Sequence, residues 1–384
     1  MSIKENYIKG IKAEFDDTVY ADWQRQEGVR TIDCFTVEDV RELETAPWPR
    51  IGGKAVFINM YGLMEAGYGL YLVEIPPGGQ LNPERVCCQK VVVVEQGTGA
   101  TEVWQEGDTQ KHVFEWGRGS VFAIPTNANH RMYNLGSEPA KFLVMNNMPE
   151  VMGGFDSIDF IFECPYVFRK AFSGDDDRFF METNNRYRHG ATNVWETNFI
   201  RDIWDSDLGE SQKGYGNRSV GFRMLNKTLA GHVHQWPVGR YQKAHFHGSG
   251  RLLHPIRSEG FVMLWPKELG NHPYADGNGD EVVMEFWKAG GLYSPPGDWF
   301  HAHYNIGPEP ARNLAFYGGW FEDLRPRLWG DTARVAVSTS EGGTLIEYPD
   351  EDPEIRKRFK ALLDERGVPF DMPDSLFQRE GALT

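Results

Sequence analysis

The sequence predicts a mainly all-β protein built as two tandem β-barrels, and three observations lead there. With 42 glycines and 22 prolines among 384 residues and an apolar fraction of 40%, the chain is globular and rich in turns. Its length exceeds the ~250–300 residues at which one hydrophobic core stops growing, so two domains are expected. The third observation is an internal repeat. The segment "GRGSVFAIPTNANHRMYNLGSEPAKF" (117–142) lies on "KAGGLYSPPGDWFHAHYNIGPEPARN" (288–313) without a gap, pairing Gly119 with Gly290, Pro125 with Pro296, His130 with His301 and Asn134 with Asn305. A second block sets "EIPPGGQLNPERV" (74–86) on "QWPVGRYQKAHFH" (235–247), matching Gly78 to Gly239. The offset changes from 161 to 171 between the blocks, which places an insertion in the polar connection "ELGNHPYADGNGDE" (268–281) of the second copy. Two copies of one supersecondary unit account for both alignments.

In chain order, residues 1–150 read as a first barrel with an N-terminal arm. Within the arm, "TVEDVRELETA" (36–46) predicts a helix N-capped by Thr36, and "ETAPWPRIGG" (44–53) offers an edge for dimer contacts. Short runs such as "GLYLVEI", "KVVVVEQ", "GSVFAIP" and "AKFLVMN", bounded by Gly, Pro and Asn, predict strands. Alternation puts Tyr71, Val73 and Ile75 on one face of a sheet and Glu74 on the other. Residues 151–215, polar and aromatic, read as a linker. Residues 216–340 form the second barrel, and 341–384 a tail whose helix (350–367) starts after a proline and stops at Gly367.

Composition removes several function classes. A net charge of −15 with no basic cluster argues against nucleic acid or an anionic membrane as partner. No apolar run reaches ~18 residues and no signal peptide is visible, so a cytoplasmic protein is expected. Cys34, Cys87, Cys88 and Cys164 show neither zinc nor disulfide spacing and read as reduced thiols. The "DGNGD" run (276–280) lacks the spaced ligands of a calcium loop and reads as a turn.

Most of the eleven histidines lie between 232 and 303, so any metal belongs to the second copy. In an extended chain His245 and His247 point the same way and offer a chelating pair of imidazoles. Imidazole suits Fe, Zn, Cu and Ni and selects poorly among them. His301 sits in a second segment of matching architecture, and His303 shares its face and could shuttle protons. By alignment with Tyr71 and Val73, His232 and His234 face inward, where they could orient ligands. Trp236, Trp265 and Trp299 read as core. Arg257 and Arg312 could clamp a carboxylate, though Lys141 stands opposite Arg312 in the repeat and favours a structural role for it.

The pattern P-x-G-x5-H-x-H (237–247), followed by G-x5-P-x4-H-x3-N (290–305), resembles the two cupin motifs. The doubled unit resembles a bicupin over roughly residues 45–340 and is similar in architecture to gentisate dioxygenase-like bicupins. The resemblance implies two double-stranded β-helix (jelly-roll) barrels and the metal ligands His245, His247 and His301. The motif's acidic ligand, four or five residues after the second histidine, falls on Arg251 and Leu252, a departure. His254, of the same strand parity as Leu252, is the expected substitute ligand or supporting group. In the first copy Glu84 and Val86 replace the histidine pair, Lys90 replaces the acidic ligand and only His130 survives, so that barrel is expected to be metal-free and to serve as scaffold or dimer interface.

The implied activity is a metal-dependent oxygenase of dioxygenase type acting on a small organic, aromatic or carboxylate substrate. Fe(II) is the expected ion, with Ni, Mn, Zn or Cu as alternatives, and His303 and His234 are the expected catalytic groups. A non-oxidative lyase, decarboxylase or isomerase using the same site is the alternative, and a non-enzymatic ligand-binding bicupin a third. A homo-oligomer, dimer or tetramer, is expected.

Overall fold

A computed structural model describes residues 2–379 except 175, 176, 190, 191, 212, 213, 226–228, 249 and 319–336. Part of the end of the expected second barrel (216–340) therefore lies outside the described residues. Each half of the chain is a long sheet packed against a three-stranded one. In the first half the long sheet runs Thr31–Cys34, Gly53–Met60, Gly69–Ile75, Ala140–Asn146, Lys90–Gln96, Val121–Ile124, with Asn129–Asn134, Thr98–Trp104 and His112–Gly117 opposite. The second half repeats that order with Thr192–Glu196, Arg218–Met224, Leu229–Trp236, Ala311–Gly318, Leu252–Arg257, Leu292–Tyr293, and with Trp299–Asn305, Glu259–Pro266 and Val283–Lys288 opposite.

Register confirms the duplication residue by residue. Phe142 pairs with Val73 and Val94 in the first half, and Asn313 with His234 and Pro255 in the second. Each half also opens with a parallel strand pair, Thr31–Cys34 on Gly53–Met60 and Thr192–Glu196 on Arg218–Met224. The second unit thus begins inside the segment that the sequence reads as linker. Its first strand is too divergent from "TIDC" for the sequence alignment to reach it.

Between these opening strands and each barrel, the chain crosses to the other half. Thr36–Val37 pairs with Leu292–Tyr293 of the second barrel, and Phe199–Ile200 pairs with Val121–Phe122 of the first. Each barrel's sheet is thus extended by a two-residue strand from the other unit. This crossing overrides the helix expected over 36–46. Thr36 and Val37 are β-branched and suit a strand, and the next element is only a 3-10 turn, Val40–Glu42, capped by Asp39. Two helices open the chain, at residues for which the sequence analysis names no element. Ile3–Asp16 starts at a Ser2/Glu5 capping box, and Val19–Glu27 runs from Thr18 to a left-handed Gly28.

One apolar cluster runs from Phe57, Val92 and Phe142 of the first barrel to Val233, Leu252 and Phe316 of the second. Within this contact His254 Nε2 lies 2.8 Å from Glu95 Oε1, both side chains nearly solvent-free. The late helix, Pro353–Arg366 with Gly367 as its cap, lays Ile355, Phe359 and Leu363 against Tyr241, Phe261 and Tyr304 of the second barrel. No helix among the described residues is long and apolar enough to cross a membrane.

Candidate functional site

The second barrel encloses a narrow cavity lined by His232, His234, Gln242, His245, His247, Arg251, His301, His303 and Asn313, together with Trp236 and Leu253. Its enclosed part measures about 20 Å³, space for about one water, so the site suits a small guest. His245 and His301 are brought face to face by the backbone, since His245 N–H donates to His301 O at 3.1 Å and His301 N–H to His245 O at 2.9 Å. Directly opposed residues project to the same face, which sets the two rings 4.5 Å apart between centroids. Two residues on, His247 keeps that face; its ring is 4.8 Å from His301 and 6.2 Å from His245. His303 lies one strand repeat beyond His301, at 5.5 Å.

The tautomers are legible for two of these rings. His245 Nδ1 is 3.1 Å from Lys243 O and His301 Nδ1 is 3.0 Å from Trp299 O. A carbonyl only accepts, so Nδ1 carries the proton and the lone pair is left on Nε2, the form in which imidazole ligates metals. Among the described residues no three His, Cys, Asp or Glu side chains are drawn to ligand spacing around one point. In chemistry, the donor set of His245, His247 and His301 fits a divalent cation, since three imidazoles share one cavity.

Arg251 lies among these imidazoles, only 9% exposed, four residues after His247, where the motif calls for an acidic ligand. None of the described residues lining the cavity is Asp or Glu. The guanidinium brings a positive charge and a planar set of donors to this wall. The polar side chains share the wall with Trp236 and Leu253. Gln242 Nε2 is 3.2 Å from His234 Nδ1, and the His232 and His234 rings touch at 4.1 Å.

Three residues weighed for the site lie elsewhere. His254 is fully buried but turns away from the cavity, its Nδ1 2.8 Å from Gly291 O and its Nε2 on Glu95 of the other barrel. Strand parity reported its burial correctly but could not say that the buried side faces the neighbouring barrel. Glu95 holds the His254 pKa above its ordinary value against the opposing effect of burial. Arg257 donates to Trp204 O at 2.9 Å and pairs with Asp205, while Arg312 donates to Ile203 O and Ser206 O. Both arginines hold the crossing segment in place.

Sequence reasoning missed Tyr293 and Asn313. Tyr293 Oη is 2.9 Å from His303 Nδ1 and receives Asn313 Nδ2–H at 2.6 Å. The available signal was the repeat itself, which places Phe122 and Phe142 at the positions of Tyr293 and Asn313.

In the first barrel the same backbone carries another interior. Glu84 and His130 exchange the same pair of backbone bonds, at 2.9 Å each, but the Lys90 ammonium bonds the Glu84 carboxylate. Burial alone would raise the Glu84 pKa, yet Lys90 holds it below the usual carboxylate range. Burial and the Lys90 charge push His130 down to about 4. An apolar ring that includes Trp48, Val73, Leu81, Val92 and Met132 surrounds them.

Residues 56–152 match the cupin family model. No curated protein matches the chain. Solved structures similar to it include oxalate decarboxylase from Bacillus subtilis at pH 4.6, at 12% identity and a TM-score of 0.48, over 75% of this chain and 77% of that one. A study of the Mn(II) centres of the same enzyme gives 14% identity and a TM-score of 0.48, over 75% and 78%.

Proposed function

With a cupin domain as its first barrel and the same strand order repeated in its second, the chain is a two-barrel member of the cupin superfamily, and we propose that the second barrel is a metal-dependent enzyme site. On this reading His245, His247 and His301 hold a divalent cation, and the substrate is a small organic acid handled without net oxidation, as by a decarboxylase, lyase or isomerase. One observation carries the reading: three imidazoles share a narrow cavity with a buried arginine, and none of the described residues lining it is a carboxylate. When bound, the metal supplies a Lewis acid for a carbonyl or carboxylate oxygen. Arg251 supplies bidentate hydrogen bonds to the carboxylate, and His234 and His303 are placed to give or take a proton at the substrate. The scarcity of free space excludes bulk water and selects against large aromatic rings.

A second reading, the dioxygenase, draws on the neutral three-imidazole set, which leaves coordination positions open for oxygen beside substrate. The deciding experiment has two parts. Element-specific metal analysis is run on protein purified without added metal, alongside a His245→Ala/His247→Ala double variant. Turnover of a panel of small hydroxy- and keto-acids is then measured with and without oxygen. Near-stoichiometric metal lost in the variant, with turnover that survives anaerobiosis, is expected. Oxygen-dependent turnover transfers the assignment to the dioxygenase, and substoichiometric metal unchanged in the variant overturns both. Assembly into a dimer or tetramer is part of the proposal and is read by sedimentation.

A further inference from the structure

Tyr293 and Asn313 form a device that the proposed ligand set does not use. Both are buried, Tyr293 at 2% and Asn313 at 1% exposure. Among the described residues the Tyr293 hydroxyl has two hydrogen-bond partners, Asn313 Nδ2 at 2.6 Å and His303 Nδ1 at 2.9 Å. An amide nitrogen only donates, so the Tyr293 oxygen accepts from Asn313. The single hydroxyl proton then has one acceptor in reach, His303 Nδ1. An Nδ1 that accepts carries no hydrogen, and in a neutral imidazole the proton must therefore sit on Nε2.

This is the reverse of the state of its neighbours. His245 and His301 each carry their proton on Nδ1, bonded to a backbone carbonyl, and keep a lone pair on Nε2. His303 lines the same cavity 5.5 Å from His301 but is set as a donor there. Asn313 adds to the polarity of this wall, since its Oδ1 is buried with no partner among the described residues and the residue lines the cavity.

The duplication supplies an independent observation. At the three matching registers the first barrel has Phe122, Met132 and Phe142. Phe122 pairs with Val92 as Tyr293 pairs with Leu253, and Met132 pairs with Thr101 as His303 pairs with Val262. The scaffold therefore folds with an apolar trio at these positions, and the polar trio is present only beside the histidine cluster.

We propose that Tyr293 and Asn313 are positioning residues that lock His303 in its Nε2–H tautomer, so that His303 acts as a hydrogen-bond donor to the substrate and not as a fourth metal ligand. The donor role toward substrate rests on the function proposed above; the tautomer does not.

The test is 15N spectroscopy of imidazole-labelled, metal-free protein at pH 8, with the His303 signals assigned by their disappearance in His303→Gln. Wild type is expected to show a protonated Nε2 and a bare Nδ1. Tyr293→Phe, which installs the first barrel's residue, is expected to give a mixture of tautomers with an unchanged metal stoichiometry and cooperative unfolding. In the metal-loaded enzyme the same variant should lower kcat by ~10–100-fold with a smaller change in KM, the range for lost outer partners of a metal site. A wild-type His303 protonated on Nδ1, or a tautomer indifferent to Tyr293→Phe, overturns the proposal, and neither result depends on whether the protein binds metal or turns over substrate.

Discussion

The interiors of the two barrels, compared position by position, show how one backbone carries two different chemistries. Glu84, Val86 and Lys90 of the first become His245, His247 and Arg251 of the second, while His130 and His301 are retained. The strand registers and the backbone pairing at 84/130 and 245/301 are the same. In the first barrel the one buried cation is neutralised by a carboxylate bonded directly to it, and apolar side chains fill the remainder. The second exchanges carboxylate for imidazole, keeps the cation, and replaces Val73, Leu81, Met132 and Phe142 with His234, Gln242, His303 and Asn313. The fold tolerates either interior, because the strand ladders and the shared apolar cluster between the barrels do not depend on it. On the proposed function, activity is concentrated in one copy while the other retains a closed core with a paired buried charge.

The largest effect that tests this contrast comes from unbalancing the first barrel. Lys90→Met leaves Glu84 with its buried partner removed, which for a buried pair costs about 3–5 kcal/mol. Glu84→Leu/Lys90→Met removes both charges and should recover most of that loss. Urea unfolding reads both. Equal destabilisation by the single and double variants would mean that the pair shapes the barrel in some way beyond charge balance.

Next comes the bond between the barrels. His254→Ala removes the partner of buried Glu95 and should cost about 1–3 kcal/mol or more, the desolvation penalty of an orphaned polar group. Metal content should not change, since His254 lies on Glu95 and not in the cavity. A variant of normal stability that loses metal would reinstate His254 as a ligand. Because Glu95 raises the His254 pKa, the stability it contributes is present below the unfolded value and is lost as pH rises through the folded one.

An effect of similar size separates the two barrels as binding sites. A divalent ion that binds only the folded state stabilises it by about 2.7 kcal/mol at a hundredfold excess over its dissociation constant. That gain in thermal midpoint should vanish in His247→Ala and persist in His130→Ala. Its persistence in both would move the metal out of the second barrel.

Much of this was legible in the sequence, for physical reasons. Repeated Gly, Pro and Asn at turns survive duplication because the backbone demands them, and the period-two spacing of His245/His247 and His301/His303 follows from the alternation of an extended chain. What escaped was non-local. Parity says which face of a strand is buried and not what it is buried against, so His254 looked like a ligand. Thr36–Val37 reads as the start of a helix because its strand partner, Leu292–Tyr293, is more than 250 residues away. Arg251 was noticed as a missing ligand without being given a task, and Tyr293 was hidden among aromatic residues that usually fill cores.

The smallest effect concerns the outer face, where the barrels also differ. Tyr133 is partly exposed on the first barrel, whereas its counterpart Tyr304 is fully buried beneath the C-terminal helix. That cover includes Glu351, which receives the Tyr241 hydroxyl hydrogen bond in a nearly solvent-free setting. Burial pushes the Glu351 pKa up to about 8, opposed by that hydrogen bond and by Arg356. A folded-state value above the unfolded 4.5 means that the folded state holds the proton more tightly. Stability from this group is therefore complete below about pH 4.5 and is lost as pH rises through about 8. Glu351→Gln keeps the shape and removes the titration, so its urea midpoint should fall less than that of wild type between pH 5 and pH 9. Parallel pH profiles for the two proteins would place the Glu351 carboxylate in water, and the covering of the second barrel would then be looser than the packing of Phe359 on Tyr304 indicates.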